Sequence, residues 1–379
     1  MKGYESKEDI RVTPVGGVED SHHLLRIDSI ATNLPQYDEF GREIVYTPIT
    51  ILSDALLPGK GQRGKNCGKI SAIGVCEVCG NVVYIKSSCY QPLCPSCWHK
   101  WRMRRAKAIL TKLEGFRRYK FATTGRNWKA VKFHHVVVSP PQNLEYTLVA
   151  EAKTSEKKRV LDKLFKDVKA ILETVGAYYG GYIIFHPFRL KDEDEFEGDF
   201  EKEARRWREI LKKPNWQDYV RFSPHFHCFV VASSIDGNIC KQVYEKTGWI
   251  VHRITKPNSN VSIGNLFDLA RSLLYCMSHM GIFPEKYRTA RWFGEIANFV
   301  TYKKEIEADV IVALLKAQKR LKDAPKVVLG KVPLICAKCG NQLKLIYVKR
   351  LEESELERLM SLRQSKAPPP VKGKQDKNG

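Results

Sequence analysis

The chain has 379 residues, 43% of them apolar, which is enough for two or three domains with real cores and excludes a chain disordered throughout. Lys and Arg number 64 against 42 Asp and Glu, a formal charge of +22, so a polyanion is the natural partner and nucleic acid leads a membrane surface. No stretch approaches the roughly 20 apolar residues of a spanning helix, and Met1-Lys2-Gly3-Tyr4-Glu5-Ser6 lacks the apolar core of an export signal, so a soluble, cytoplasmic protein is expected.

Residues 1–66 show little periodicity and end in the Gly-rich "PGKGQRGKN", which predicts an irregular N-terminal arm. The 11 cysteines that follow are odd in number, which favours metal over disulfides. Cys76-x2-Cys79 and Cys94-x2-Cys97 stand 14 residues apart, close to the spacing of a four-cysteine Zn2+ module, with Gly80 and Pro95 supplying knuckle turns. Cys67, Cys89 and His99 flank it, as substitute ligands or as packing. Residues 67–120 then close with a helix over 100–120, in which nine basic residues face one acid, Glu114. Trp101, Ala108, Ile109 and Leu113 form its packing face. The other face is expected to offer Arg102, Arg104, Arg105 and Lys107 to phosphates.

A third unit is expected over 130–303. "FHHVVVSPP" (133–141) predicts a short buried strand stopped by two prolines. Val160, Leu161, Leu164, Phe165, Val168, Ile171, Leu172 and Val175 repeat at 3.6 and predict a helix over 155–178. "GGYIIFHPFRL" (180–190) predicts a strand ending at Pro187, and the acidic run at 192–203 an exposed insertion. "FSPHFHCFVVAS" (222–233) predicts a strand, followed by a turn at Ile235-Asp236-Gly237-Asn238, and "GWIVHRI" (248–254) a further strand. "GNLFDLARSLLYCMSHMG" (264–281) predicts a helix ended by Gly281. Residues 304–363 are expected to hold a helix, over about 302–322, and a hairpin around Cys336-x2-Cys339-Gly340, which is half a zinc site completed by a distant Cys or His, or not a site at all. The tail, 364–379, has a disordered composition.

On a strand, His225, His227, Phe229 and Val231 share one face. Two adjacent imidazoles make half of a metal site. The element order describes an α+β fold, an antiparallel sheet with helices laid on one face. The His-bearing sheet can face the helix over 264–281, where Tyr275 and His279 lie four residues apart and so share a helix face. His279 is then the third ligand, with His186 as the alternative. Imidazoles holding a divalent cation beside a phenol compose a device for attack on a phosphodiester.

These residues resemble the HUH endonucleases, specifically the rolling-circle replication initiators (Rep proteins) of archaeal plasmids. The resemblance rests on "HHVVVSPP", "FHPFR" (185–189), "PHFHCFVV", "YCMSHMGI" (275–282) and "ARWFG" (290–294), in that order. It implies a ferredoxin/RRM-like core beside an N-terminal zinc-binding module. It also implies nicking of one strand at an origin, a covalent 5′-phosphotyrosyl intermediate on Tyr275, and a free 3′-OH. The implied ligands are His225 and His227 for Mg2+ or Mn2+, the implied substrate is single-stranded origin DNA, and the implied partners are the host polymerase and helicase. The family's lysine one turn after the tyrosine is replaced here by Ser278-His279. Tyr287 and Tyr302 are competing nucleophiles. A transposase or relaxase of the same superfamily, or a non-catalytic zinc-containing DNA-binding regulator, fits parts of the same pattern.

Overall fold

A computed structural model of the chain describes residues 55–124, 131–141, 154–191, 200–255, 263, 265–284, 287–300, 304–320 and 334–347. In chain order its elements are β1 (Ile70–Val75), β2 (Val82–Lys86), α1 (Trp98–Thr124), β3 (Lys132–Ser139), α2 (Thr154–Thr174), β4 (Gly181–Leu190), α3 (Phe200–Lys212), β5 (Val220–Ala232), α4 (Gly237–Thr247), β6 (Ile250–Ile254), α5 (Leu266–Cys276), β7 (Ala290–Phe293), α6 (Lys304–Arg320) and β8 (Lys344–Tyr347). The strands form two antiparallel sheets, one ordered β2-β1-β8 and the other β6-β3-β5-β4-β7.

Local chemistry sets the larger elements. The 3.6 periodicity of α2 buries Leu161, Leu164, Phe165, Val168, Ile171 and Leu172, and the chain turns away at Gly176, which takes φ +110. The expected turn at 235–238 is instead the start of α4, where the Asp236 carboxylate accepts from the backbone N–H groups of Asn238 and Ile239. β4 and β5 approach closely because Gly181 has no side chain: a Cβ there would strike the backbone of Phe229 and Val230. β4 also runs past its expected end at Pro187 to Leu190. A register shift between His186 and Phe188 takes the proline out of the ladder.

Directly opposed residues of a ladder share a face. One face of the five-stranded sheet therefore gathers His135 and Val137 from β3, His225, His227 and Phe229 from β5, Tyr182, Ile184 and His186 from β4, and Trp292 from β7. α1 and α5 cover it: Arg105 of α1 donates to the Tyr182 hydroxyl at 3.0 and 3.3 Å, and Cys276 Sγ of α5 lies 3.8 Å from His135 Nε2. The opposite face packs on α2, where Phe165 meets Phe226 edge to face at 5.4 Å. Helices thus cover both faces, not one, and β5 is buried on both from Pro224 to Ala232.

α6 packs against α1 and α5, and its Ile306, Val310 and Leu314 join the same core as Met103, Ile109 and Leu113 of α1. The expected hairpin around the Cys336–Cys339 knuckle is present among the described residues: Cys336 N–H donates to the Asn341 carbonyl, Leu343 N–H to the Leu334 carbonyl, and Ile335 bridges Gln342, while β8 goes on to pair with β1. Tyr302, residues 192–199 of the acidic run, the tail at 364–379 and most of the arm lie outside the described residues.

Candidate functional site

The β4–β5 register sets His186 opposite His225 and Ile184 opposite His227. The ring of His186 lies 4.3 Å from that of His227 and 5.2 Å from that of His225, and these two are 5.1 Å apart. One ligand nitrogen from each falls within 4.8 Å of the others, so the three can hold a metal ion. Their second nitrogens explain the orientation. His225 Nδ1 donates to the Ser223 carbonyl at 2.8 Å and His227 Nδ1 meets His135 Nε2 at 2.7 Å, which leaves Nε2 of both rings for an ion. His186 is fully buried and neither of its ring nitrogens has a hydrogen-bond partner. An orphaned imidazole is costly in a core, and an ion held between the rings would give it a partner.

Burial holds His186, His225 and His227 well below the usual histidine range, with help from neighbouring imidazoles and, at His225, from the positive charge of Arg189. Burial also takes His135 and His279 to about 3. The rings are therefore neutral, the form that ligates metal. Unfolded, the same rings take up protons near pH 6.5, so the unfolded state binds more protons and the fold weakens as pH falls below that value. Between pH 7.5 and 5.5 each ring is expected to remove roughly 1.4 kcal/mol of stability. Urea unfolding of protein with no metal on the histidines at the two pH values checks this; equal stability would contradict it.

His279 stands beside this trio, not in it. α5 ends at Cys276, so His279 follows on a turn rather than on the helix. Its ring stacks flat on Trp207 of α3 at 4.5 Å and 15°, and meets Tyr275 at 4.6 Å, while Ser278 Oγ lies 3.2 Å from its Nδ1. It touches His186 edge to face at 4.5 Å but lies 6.4 Å from His227. Of the two candidates for a third ligand, His186 is the one grouped with His225 and His227, because the neighbouring strand sets it opposite His225. The expected contact of Tyr275 with His279 is present, and both rings are buried.

The cysteines do not form the expected single module of Cys76, Cys79, Cys94 and Cys97. The β1–β2 hairpin carries Cys76 and Cys79 to its tip, whereas Cys94 and Cys97 lead into α1. Two quartets result, Cys67/Cys89/Cys94/Cys97 and Cys76/Cys79/Cys336/Cys339. Sulfur separations of 3.1 and 3.5 Å in the first and 3.4 and 3.5 Å in the second approach the edge of a tetrahedron with metal–sulfur bonds of about 2.3 Å. Each can hold a metal such as zinc. Burial opposes charge on Cys97 and Cys336. Even so, Ser88 and Cys67 at the first, and backbone N–H groups and Asn81 at the second, bring both thiols down to about 6. Elemental analysis is expected to find two zinc ions per chain, falling to one in Cys336→Ser, and one ion in the wild type would contradict the pairing.

The basic helix also differs from expectation. Arg102 is buried with its guanidinium 4.9 Å over Trp98, Lys107 pairs with Glu307 of α6 at 3.0 Å, and Arg105 is bound to Tyr182. Arg104 is exposed, over Tyr90. α6 takes Lys107 into an ion pair, while Arg104 and Arg105 stay exposed. Arg105 also reaches a cleft of about 1450 Å3 at the β7 edge, whose walls include Trp101, Tyr182, Tyr287, Arg288 and Trp292. Met277 and Met280, which bracket His279 in sequence, close its inner side.

His135 and Trp207 were not anticipated as parts of the site. The repeat Ala204, Trp207, Ile210, Leu211 marks α3 as an amphipathic helix and gives a signal for Trp207; His135 has none without the register. Among the described residues, no helix is long and apolar enough to cross a membrane. Compared with family models, with curated proteins and with solved structures, the chain matches none.

Proposed function

We propose that this protein is a metal-dependent DNA nickase and strand transferase that initiates rolling-circle replication, with Tyr275 as nucleophile and His186, His225 and His227 as ligands of Mg2+ or Mn2+. The observation that carries the reading is a buried trio of neutral imidazoles, one of them otherwise unpartnered, joined to Tyr275 through the single ring of His279. An ion bound there supplies positive charge that polarises a phosphodiester and favours the phenolate over the phenol. His279 is a poor base for that proton, since burial takes it to about 3.

In the reaction the phenol proton passes to solvent as the Tyr275 oxygen bonds to phosphorus, the bond from phosphorus to the 3′ oxygen breaks, and that oxygen takes a proton from solvent and leaves as a hydroxyl. The 5′ phosphate stays on the enzyme, and the reverse reaction reseals the strand. Tyr275 is only 4% exposed, so strand access requires the turn at 277–280 to move. The neighbouring cleft suits an unpaired strand: Trp101, Tyr287 and Trp292 offer stacking surfaces and Arg288 a cation for phosphate. The two cysteine quartets are assigned Zn2+ with a structural role, clasping β8 to β1 and closing the loop ahead of α1. Incubation with single-stranded origin DNA and Mn2+, followed by assay for protein-linked 5′ ends, tests the function. A nicked strand with bound protein is expected; intact strands throughout would favour a binding protein.

A further inference from the structure

A metal-ligating imidazole normally uses its second nitrogen to donate a hydrogen bond, and the acceptor fixes the tautomer and aim of the ring. For His225 the acceptor is the Ser223 carbonyl. For His227 the partner ring is that of His135, at 2.7 Å between His227 Nδ1 and His135 Nε2. Distance decides what kind of contact this is. His135, His227 and Cys276 could also group around an ion, but 2.7 Å is the length of a hydrogen bond between the two rings.

His135 is held beside that nitrogen, and as the acceptor it carries its own proton on Nδ1. It is fully buried on β3, diagonal to His227 because Val137 is the residue directly opposite. Its ring stacks on Phe229 at 4.6 Å and 18°, and Cys276 Sγ approaches the same Nε2 at 3.8 Å. We propose that His135 is a positioning residue: its Nε2 accepts the His227 Nδ1 proton and thereby turns His227 Nε2 toward the ion. This rests on the assignment of His186, His225 and His227 as an ion site.

The test uses the full chain with its cysteine sites loaded and does not depend on nicking. Mn2+ affinity is measured from the paramagnetic resonance of free Mn2+ for wild type, His135→Leu and His135→Gln. Leu cannot accept the proton, and a loss of affinity of about 10- to 100-fold is expected. Gln can place its Oε1 near the position of Nε2, so affinity within about threefold of wild type is expected. Long-range 15N histidine spectra of protein without Mn2+ should show His227 with its proton on Nδ1 in wild type and His135→Gln, and not in His135→Leu. Unchanged affinity in His135→Leu, no rescue by His135→Gln, or a wild-type His227 protonated on Nε2 would overturn the inference alone. Wild-type protein that takes up no Mn2+ would overturn the ion-site assignment and this inference with it.

Discussion

Tyr275→Phe is expected to abolish covalent attachment to origin DNA, while Mn2+ uptake and DNA affinity stay within about twofold of wild type. The substitution removes one oxygen from a ring that is already 4% exposed and packed at 4.6 Å from His279, so the fold loses little volume and the nucleophile disappears entirely. DNA affinity should survive because phosphate binding comes from Lys and Arg, of which the chain has 64. Gel analysis of protein-linked DNA against Tyr287→Phe separates the candidates: Tyr287 lies at the cleft, packed on Phe283 at 5.8 Å, and its removal should leave the adduct in place. An adduct that persists in Tyr275→Phe would transfer the nucleophile's role to another residue.

The second large effect contrasts two histidines that sequence spacing does not separate. His186→Ala should weaken Mn2+ binding by more than about 100-fold, beyond the 10- to 100-fold carried by an outer partner, because it deletes a direct ligand. In free energy, 100-fold is about 2.7 kcal/mol. His279→Ala should instead cost less than about tenfold in Mn2+ affinity, because His279 lies outside the trio and is held by Trp207, Tyr275 and Ser278. It should still reduce nicking, since it removes the ring between Tyr275 and His186. Isothermal titration of both variants with Mn2+ at pH 7.5 measures the contrast. A reversed order would return His279 to the ligand set.

Much of this arrangement is written in short-range pattern. The alternation at 225–231 places His225 and His227 on one face, and the periodicity of 160–175 gives α2 its buried stripe. What sequence spacing does not carry is register between distant strands. His186 becomes a ligand because β4 pairs with β5 at that residue, and a bulge beside Pro187 keeps the strand going where a proline predicts a stop. The cysteines show the same limit. Cys76-x2-Cys79 has a near neighbour in sequence with the right spacing, yet its partner is Cys336-x2-Cys339, more than 250 residues away, because β8 pairs with β1. The charge count of 100–120 likewise says nothing about α6, which lies along α1 and takes Lys107 and Arg118 into ion pairs. The missed start of α4 was legible, since Asp236 is a strong N-cap.

The proposal as a whole turns on which atom receives the phosphate. Mass spectrometry of a trypsin-digested DNA adduct tests this directly, because the peptide from Ser272 to Lys286 contains one tyrosine, Tyr275. A nucleotide-bearing form of that peptide, formed only with Mg2+ or Mn2+ present, is the predicted result. Label on a peptide carrying Tyr287 or Tyr302, or a labelled product that forms equally well with the divalent ions chelated, would contradict it.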